Sequence, residues 1–564
     1  MKLITTAAII FFLAATLTFG RNAHKRAADL PNDEPDAIAD VIVQFNETPD
    51  KKHHDKIAAR GGKLKRNLNG INSALYRLPI REVEALAGDP DVAFISPNRI
   101  VSAAASGSQH FDPDEARAAM NLDSSRRGSY PGTGIGVAVI DSGVSPLDAL
   151  RGGSKCTTSR IVYSENFASD PGTADLYGHG THVAAVVGAD NVCDTTDYMG
   201  VAPGVNIINL RVLNAQGIGT DAAVIAAIDR AIQLKSTYKI RVINLSLGRS
   251  VVDSFTADPL CKAVERAWKA GIVVVVAAGN LGRSTLTDGY ATISAPANDP
   301  FVITVGAGRN PAGGSDSRSD DTLASYSSKG PSAIDHVVKP DLVAPGNQMV
   351  ARTVPPNYLG LTYPANNMVM MNKNYLRLSG TSMAAPAVAG VAAMMIHKDS
   401  SLTPDQVKAR LMKTAWKGFI PTASIYDSVT NTVYQLRHDL FAVGAGYVDG
   451  RAALAGTEKI PAGKTALSPR VVQSGGNIVI ATSYPNLTGE DVVWGTSLVW
   501  GTSLVWGTSL VWGTNVVQSN GAVLGSTSVW GSNVTAGYDV VWGTTSVTGS
   551  ASPFPMSLAA AGDY

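Results

Sequence analysis

Five short runs of apolar residues, rich in Val and Ile, alternate with helical patterns through the middle of this 564-residue chain. Each run is continuous, which is typical of a β-strand buried on both faces. The runs are 136–140, 206–212, 242–247, 272–278 and 302–305, and helical patterns at 221–234 and 260–270 lie between them. This order predicts an α/β fold with a mainly parallel central sheet flanked by helices. Functional residues are then expected at the carboxyl ends of the strands.

A smaller α+β unit is predicted upstream, at residues 38–102. Its strand patterns are 41–45, 73–78 and 92–96, and its helical patterns are 50–60 and 81–87. The stretch 102–123, rich in Ala, Ser, Gly and charged residues, is expected to be an exposed linker. The large α/β unit is predicted to occupy 103–455.

The amino terminus has the layout of a secretory signal peptide, predicted as residues 1–22. Residues 4–19 are almost wholly apolar, with Lys2 before them and Arg21 after them. This stretch is short for a membrane span, which needs roughly 20 residues, and an uncleaved membrane anchor stays open as an alternative. The protein is therefore expected to be secreted, or to be associated with the cell surface.

Residues 456–564 form a C-terminal extension that contains a six-residue repeat. From 491 to 550 the chain divides into ten hexads, beginning DVVWGT and SLVWGT, and nine of them have Val third and nine have Gly fifth. A strict short period is typical of stacked units such as a β-solenoid, and a low-complexity, β-prone tail is the other interpretation. Six of the eight Trp residues lie in this array, and their faces could contact a cell surface or a glycan.

Charge and cysteine content limit the possible partners and chemistry. Lys plus Arg is 47 and Asp plus Glu is 46, so the net charge of +1 provides no field that would attract nucleic acid. Three cysteines allow at most one disulfide within the chain. Cys156 and Cys193 lie in loop-like sequence, where an exported protein could bridge them. Cys261 lies in a helical pattern and is expected to be a buried, unreactive thiol.

Asp141 and His179 are the first candidates for chemistry. Asp141 ends the apolar run GVAVI, where a turn-forming Asp is the simpler interpretation. His179 begins GHGTHVAAVVG, at the start of a helical pattern, where it could receive a carboxylate partner. His179 and His182 could also suggest a metal pair, but the zinc-protease motif HExxH needs a glutamate where Gly180 stands.

Ser382 and Asn280 complete the set of candidates. Ser382 lies in SGTSMAAPAVAG at the start of a predicted helix, where a serine is usually a cap. With a nearby base and backbone N–H groups, the same hydroxyl would suit acyl transfer. Asn280 closes VVVVAAGN and is either a turn residue or a side-chain donor for an oxyanion.

Together these four residues resemble the active site of the subtilisin-like serine proteases, or subtilases. The order Asp, His, Ser distinguishes subtilisin from the chymotrypsin and α/β-hydrolase arrangements. The resemblance runs through nearly all of 130–455 and includes further motifs in the right order. These are GVAPG at 200–204, NLSLG at 244–248, AAGN at 277–280, YSSKGPS at 326–332, KPDLVAPG at 339–346 and GAGYVDG at 444–450.

The resemblance implies a secreted serine endopeptidase that works through an acyl-enzyme intermediate. Ser382 would attack the peptide carbonyl, His179 would act as general base, and Asp141 would orient His179. Asn280, with the backbone N–H of Ser382, would form the oxyanion hole. A histidine base and an asparagine donor argue against the acid-active sedolisins, which use Glu and Asp at these places.

The resemblance also implies a set of substrate-binding residues in three short segments. They are Ser246, Leu247 and Gly248; Ala277, Ala278 and Gly279; and Gly217 within the edge segment 214–219. The first two segments would wall the primary specificity pocket, and the third would pair with an extended substrate. Leu281 stands where some subtilisins carry an acidic residue, so a preference for apolar or aromatic side chains before the scissile bond is expected.

The unit at 38–102 is similar to the inhibitory propeptide of the family in position, in pattern and in the phrase VAFISPNR. The chain would then be a self-processing zymogen inhibited by its own propeptide, with cleavage between about residues 99 and 116. The chemistry requires no cofactor. Many relatives bind structural calcium, and Asp148 and the loop 191–197 offer oxygen ligands, but no site is assigned.

A second hypothesis comes from another class of protein. It is a surface-binding or adhesive protein that functions through its repeat tail and carries a vestigial protease domain. The complete set of four candidate residues weighs against it, because a vestigial site should tolerate the loss of at least one.

Overall fold

The computed structural model describes residues 25–30, 37–103, 113–122, 129–194, 198–310, 318–427, 431–457, 460, 464–474, 477–481 and 491–492. The whole predicted signal segment, 1–22, and all but the first two residues of the hexad array lie outside the described residues. Within those ranges, no helix is long and apolar enough to cross a membrane.

The N-terminal unit, residues 37–103, contains the three strands and two helices predicted for it. Its elements are β1 (Ile38–Phe45), α1 (Lys51–Ala58), β2 (Lys63–Leu68), β3 (Ser73–Pro79), α2 (Arg81–Ala87), β4 (Val92–Pro97) and β5 (Ile100–Ala103). The order β2-β3-β1-β4 makes a four-stranded antiparallel sheet. Strand β2 was not predicted because its sequence, KLKRNL, buries only Leu68 and so lacks an alternating apolar pattern.

The rest of the described chain forms the large α/β unit and the segments that follow it. Its first half contains α3 (Pro113–Ala119), β6 (Gly136–Asp141), β7 (Arg151–Gly152), β8 (Thr158–Ser159), β9 (Ile161–Asn166), α4 (His179–Gly188), α5 (Asn191–Asp194), β10 (Asn206–Arg211), β11 (Ile218–Thr220), α6 (Asp221–Tyr238), β12 (Ile240–Leu245), β13 (Leu247–Gly248), α7 (Pro259–Lys269), β14 (Val273–Ala277) and β15 (Ile303–Arg309). Its second half contains β16 (Thr322–Leu323), β17 (Leu342–Pro345), β18 (Met349–Arg352), α8 (Tyr358–Thr362), β19 (Asn367–Met370), β20 (Lys373–Leu378), α9 (Thr381–Lys398), α10 (Pro404–Thr414), β21 (Thr422–Asp427), β22 (Thr432–Arg437), α11 (Leu440–Val443), α12 (Gly450–Ala455), β23 (Lys464–Thr465), β24 (Arg470–Ser474), β25 (Asn477–Ala481) and β26 (Asp491–Val492). Short 3-10 turns lie at Asn69–Ile71, Asp148–Leu150 and Pro364–Asn366.

The central sheet has the order β16-β15-β14-β12-β6-β10-β9, and β17 also pairs with β15. All of these neighbours are parallel except β15 and β16. The five predicted strands correspond to β6, β10, β12, β14 and β15, and every residue of β6 and β14 is buried. The prediction of a mainly parallel α/β fold is confirmed. Strand β9 was not predicted because this edge strand is half exposed and lacks a continuous apolar run.

Helix α9 runs through the core of the α/β unit. Every residue from Thr381 to Ile396 is buried, and the helix packs against α4 and against β12, β14 and β15. Its small residues permit this close packing: a Cβ atom on Gly390 would lie only 2.6 Å from the Cβ atom of Val201. The start of α9 is thereby brought to the edge of the sheet where the parallel strands end.

The stretch that was predicted to be an exposed linker is partly buried. Helix α3 buries Ala116 and Ala119, and Met120 follows them into the core. The Arg117 guanidinium donates to the carbonyl oxygens of Gly200 and Val201 at 2.8 and 2.9 Å. The linker prediction is wrong for this segment, because its mixture of Ala and charged residues belongs to a helix with one buried face.

The chain remains packed on the α/β unit beyond residue 455. Leu467 and Ser468 are fully buried. The Ser468 N–H donates to the carbonyl oxygen of Pro300 at 2.9 Å, and the buried ammonium of Lys408 donates to Ser468 Oγ at 2.8 Å. The first part of the C-terminal extension therefore contributes to the core of the α/β unit.

The three cysteines are distributed as the sequence indicated. Cys156 and Cys193 form a disulfide with their Cα atoms 5.3 Å apart. Cys261 is a free, buried thiol in α7, and burial raises its pKa well above the ordinary value. A thiol that stays protonated is a poor nucleophile.

Candidate active site

Asp141 and His179 meet at the carboxyl end of the central sheet. Asp141 is the last residue of β6, His179 is the first residue of α4, and both side chains are fully buried. The Nδ1 atom of His179 lies 2.7 Å from Oδ1 of Asp141, and the Ser142 N–H donates to the same oxygen at 2.7 Å. A carboxylate bonded to Nδ1–H holds the imidazole in the tautomer whose Nε2 can accept a proton.

Gly180 allows α4 to begin this close to β6. A Cβ atom at position 180 would lie 3.1 Å from the Cβ atom of Asp141 and would clash with the carbonyl oxygen of Gly143. The Gly180 N–H instead donates to Ser142 Oγ at 2.9 Å. The glycine after the histidine is therefore required by the close approach of helix and strand.

Asp175, which sequence reasoning missed, joins the same two elements. Its Oδ1 accepts from Ser142 Oγ at 2.8 Å and from the Gly178 N–H at 2.7 Å, and its Oδ2 accepts from the Thr181 N–H at 2.7 Å. Burial raises the pKa of Asp175, and these hydrogen bonds oppose the rise. In the sequence, this residue looks like an ordinary turn-forming Asp.

His182 does not pair with His179 in the way a metal site would require. Its Nε2 lies 2.9 Å from the carbonyl oxygen of Met349, and burial lowers the pKa of His182 to about 3. The neutral ring therefore joins α4 to β18. Across the described ranges, no group of three or more His, Cys, Asp or Glu side chains is placed to hold a metal ion.

Two of the carboxylates considered for calcium, Asp148 and Asp194, lie beside cationic side chains, and residues 195–197 of the same loop lie outside the described residues. Asp148 lies 3.3 Å from Nε of Arg151 and 3.2 Å from Nζ of Lys373. Asp194 lies 2.6 Å from Nε of Arg352. Carboxylates that already balance Arg and Lys do not fit a calcium site, which needs several free oxygen ligands.

Ser382 is the second residue of α9 and is fully buried. Its Oγ donates to the carbonyl oxygen of Ser246 at 3.0 Å, and Ser246 Oγ donates to the carbonyl oxygen of Ser382 at 2.7 Å. That carbonyl is available because Pro386 has no N–H to form the usual helical hydrogen bond. Ser382 is not the helix cap, since α9 has Gly380 at its N-cap and no side-chain cap.

Asn280 follows β14, and its side-chain amide is oriented by Thr381. The Oδ1 atom accepts from the Thr381 N–H at 3.0 Å and from Thr381 Oγ1 at 2.9 Å. Both bonds use the oxygen of the amide and leave its Nδ2 amino group available as a donor. Because Thr381 directly precedes Ser382, the start of α9 positions both the hydroxyl and the amide.

Three buried polar atoms of this cluster have no hydrogen-bond partner within the described part of the chain. They are Oδ2 of Asp141, Nε2 of His179 and Nδ2 of Asn280. Buried polar atoms are seldom left unpartnered, and the exceptions often mark functional sites. The cluster combines a hydroxyl, a proton acceptor and a hydrogen-bond donor that can bind an oxyanion. These are the groups that acyl transfer needs.

Strand β5 of the N-terminal unit lies in a cleft next to these residues. It pairs antiparallel with β11 on one side and with β13 on the other. Ser102 lies opposite both Ile218 and Gly248, and Ala103 lies opposite Leu247. An extended peptide therefore runs between two edge segments and approaches Ser246, whose carbonyl oxygen contacts Ser382.

The hydroxyl of Ser294 lies close to both segments that are predicted to wall the specificity pocket. Ser294 Oγ lies 2.8 Å from the position of a Cβ atom on Gly248 and 3.4 Å from that of a Cβ atom on Gly279. Ala277 and Ala278 precede Gly279 and are fully buried. Sequence reasoning missed Ser294, because nothing in TISAPAN distinguishes it from an ordinary loop serine.

Gly217 precedes β11 and has a left-handed backbone, with φ +74°. A Cβ atom here would lie 2.5 Å from Cζ of Tyr177, whose ring centroid is 6.3 Å from that of His179. The absence of a side chain at position 217 thus lets the edge segment pass close to the ring beside His179.

Comparison with known proteins identifies the family to which the chain belongs. Residues 132–446, more than half of the chain, match the profile of the subtilase family, Peptidase_S8. Serine protease AprX of Bacillus subtilis is 38% identical over 287 residues, which cover 50% of this chain and 61% of AprX. Subtilisin E of Bacillus subtilis is 31% identical over 406 residues, which cover 72% of this chain and 91% of Subtilisin E. The chain thus spans less than two thirds of AprX and nearly all of Subtilisin E.

A solved structure gives independent support for the fold. Fervidolysin from Fervidobacterium pennivorans, described as a keratinolytic enzyme related to subtilisin, matches with a TM-score of 0.58 and 22% identity. The match covers 81% of this chain and 69% of fervidolysin. At this identity the likeness concerns the fold alone. The family profile and the long alignment with Subtilisin E show that the chain belongs to the subtilase family, the serine endopeptidases that its motifs resemble.

Proposed function

We propose that this protein is an exported serine endopeptidase, made as a zymogen, with a triad of Asp141, His179 and Ser382. Asn280 completes its oxyanion hole. The observation that carries the proposal is a pair of buried atoms, Nε2 of His179 and Nδ2 of Asn280, that have no hydrogen-bond partner among the described residues. These atoms must be available to take the serine proton and to bind developing negative charge.

In the proposed reaction, Ser382 Oγ turns from the Ser246 carbonyl to Nε2 of His179 and attacks the substrate carbonyl while Nε2 takes its proton. Asp141 stabilises the imidazolium through its 2.7 Å contact with Nδ1. The oxyanion accepts from Nδ2 of Asn280 and from the Ser382 N–H, which lies in the first helical turn and has no partner in its own helix. Nε2 then protonates the leaving amine, and water that the imidazole activates hydrolyses the acyl-enzyme.

The N-terminal unit is proposed to be the intramolecular inhibitor. Its strand β5 lies between β11 and β13. Asn98 Oδ1 accepts from the Ala222 N–H at 3.0 Å, at the start of α6, and Arg99 makes a buried ion pair with Asp253. These contacts hold the unit beside Ser382, so cleavage after β5, within the predicted range of about 99–116, would be needed to release it.

Export is proposed on two grounds. The predicted signal segment, 1–22, has charged residues on both sides of its apolar stretch. The Cys156–Cys193 disulfide is typical of proteins that fold in an oxidising compartment.

A fluorophosphonate probe, which reacts covalently with activated serines, tests the proposed function. We expect mass spectrometry of the trimmed protein to find the label on Ser382. Labelling of His179→Ala should be at least about 100-fold slower, because the general base is lost.

The His179→Ala variant is first trimmed by tagged wild-type enzyme, which is then removed, so that the N-terminal unit does not block the probe. The control His397→Ala should label at the wild-type rate. Labelling of another serine, or equal rates in His179→Ala and wild type, would contradict the proposal.

Substrates are proposed to carry an apolar or aromatic side chain before the scissile bond. The predicted walls present Leu247, Ala277 and Ala278, which are uncharged, and the exposed residue after Asn280 is Leu281. On a peptide library we expect cleavage after Phe, Tyr, Leu or Met to be favoured at least about tenfold over cleavage after Lys or Arg. A preference for Lys or Arg would show that the pocket has been misassigned.

A further inference from the structure

A cavity with several cationic residues in its lining lies behind the loop that follows Asn280. Its volume is about 390 Å³, and it is enclosed by the segment 282–290, by Lys329 and by the hairpin strand β22. Its lining includes the hydroxyls of Ser284 and Thr285 and three cationic side chains. None of these residues belongs to the triad, the oxyanion hole or the predicted substrate walls.

Lys329 is a buried cation in the lining of this cavity. The residue is only 4% exposed, its Nζ donates to the carbonyl oxygen of Asp288 at 2.7 Å, and it lies 5.1 Å from the ring centroid of Tyr290. No carboxylate of the described residues lies within 4.0 Å of it. Burying an ammonium group without an opposite charge is costly, and the pKa of Lys329 is lowered by that burial.

The other two cations of the lining differ in how they are balanced. Arg283 forms an ion pair with Asp427 at 3.0 Å and lies over the ring of Tyr434. Arg437 is half-buried and forms no ion pair with the residues that the structure describes. Lys329 and Arg437 are therefore two positive charges, on two different segments, that share the cavity and form no ion pair within the described part of the chain.

The nearby carboxylates Asp288 and Asp439 attract Lys329, but neither forms an ion pair with it within 4.0 Å. Asp288 is the one acidic residue in the described lining, and it is exposed. Asp439 lies behind Tyr290, where it accepts from the Tyr290 hydroxyl and from the N–H groups of Phe441 and Ala442. Its oxygens are thus committed to other donors, and burial raises its pKa.

We propose that this cavity binds a small oxyanion of the phosphate or sulfate class, held by Lys329 and Arg437. An ammonium and a guanidinium offer several N–H donors, and the hydroxyls of Ser284 and Thr285 add two more. A tetrahedral oxyanion has enough acceptor oxygens for such a set. Binding would give the buried ammonium the opposite charge that it lacks.

The cavity is linked to the active site through Ser328, the residue before Lys329. The Ser328 N–H donates to the carbonyl oxygen of Gly279 at 2.9 Å, and Ser328 Oγ accepts from the Leu281 N–H at 3.1 Å. One bond holds the residue before Asn280, and the other holds the residue after it. An anion on Lys329 would therefore stabilise the segment that carries Asn280.

Titration with inorganic phosphate tests the site in the full chain carrying Ser382→Ala, with ionic strength held constant by chloride. We expect one saturable binding event in isothermal titration calorimetry and a phosphate-dependent rise in Tm. Lys329→Met and Arg437→Gln should each weaken binding at least about tenfold, because each removes a charged donor. The matched control Lys269→Met, at a side chain outside the cavity, should bind as the unmodified chain does.

Three results would overturn the proposed anion site. Absence of saturable binding, or a Tm rise that chloride alone reproduces, would overturn it. Unchanged affinity in Arg437→Gln would also overturn it, and this half-buried position remains informative if Lys329→Met fails to fold. Self-digestion of the Ser382→Ala chain, visible on a gel, would count against the assigned nucleophile and not against the anion site.

Discussion

Replacement of Ser382 by Ala is expected to leave the chain uncut and to abolish its proteolytic activity. The alanine keeps the helix start and removes only Oγ, the atom that contacts the Ser246 carbonyl beside β5. Casein hydrolysis should fall by at least about 10⁴-fold, the scale of loss when a triad nucleophile is removed. Gel analysis should show a chain that retains the N-terminal unit, whereas sequencing of wild type should find a new N-terminus after β5 and before about residue 116.

Two controls separate loss of chemistry from loss of folding. Added wild-type enzyme should trim the Ser382→Ala chain in trans, which would show that the variant lacks the nucleophile and is still a substrate for processing. Ser401→Ala, at an exposed serine after α9, should process itself and digest casein normally. If the Ser382→Ala chain loses residues before about 110 unaided and digests casein, another group is the nucleophile.

The central sheet could be predicted because its strands leave a strong signal. Strands β6 and β14 are buried along their whole length, so their sequences are continuous apolar runs. The weakly patterned strands β2 and β9 lie at sheet edges and expose much of their surface. Their pairing depends on a neighbouring strand distant in sequence, which a local pattern does not reveal.

The candidate active-site residues could be proposed from the sequence, but not the groups that hold them. Asp141 ends a buried strand, Asn280 follows another, and glycine-rich turns mark His179 and Ser382. Ser246, however, was predicted only as a wall residue, and its exchange of hydrogen bonds with Ser382 depends on the missing N–H of Pro386. Such contacts join segments more than 100 residues apart and have no local sequence signal.

Strand β5 also could not be predicted from its own sequence. Residues 100–103 were placed at the boundary between a propeptide and a linker, because four residues are too few for a clear strand pattern. In the structure, they form the middle strand between β11 and β13. The strand is defined by the two edges that it joins and not by its own sequence.

Replacement of Asn280 by Leu is expected to lower kcat by about 10²–10³-fold, as when one oxyanion-hole donor is removed. Leucine has a similar volume but lacks the Nδ2 amino group, which has no partner within the described ranges and is free to bind the oxyanion. Because that charge develops only in the transition state, KM should change by less than about threefold. Steady-state kinetics on a peptide substrate, with both enzymes trimmed by tagged wild type, measures both constants.

The control for this prediction is Thr381→Val. Asn280 also accepts two hydrogen bonds from Thr381 through Oδ1, so Asn280→Leu removes an orienting contact together with the donor. Thr381→Val deletes the hydroxyl contact but keeps the backbone N–H and the Nδ2 donor, and its kcat should fall by less than about tenfold. Equal losses in the two variants would mean that Asn280 acts by positioning the start of α9. A rise in KM with unchanged kcat would assign Asn280 to substrate binding, since an oxyanion donor must act on the chemical step.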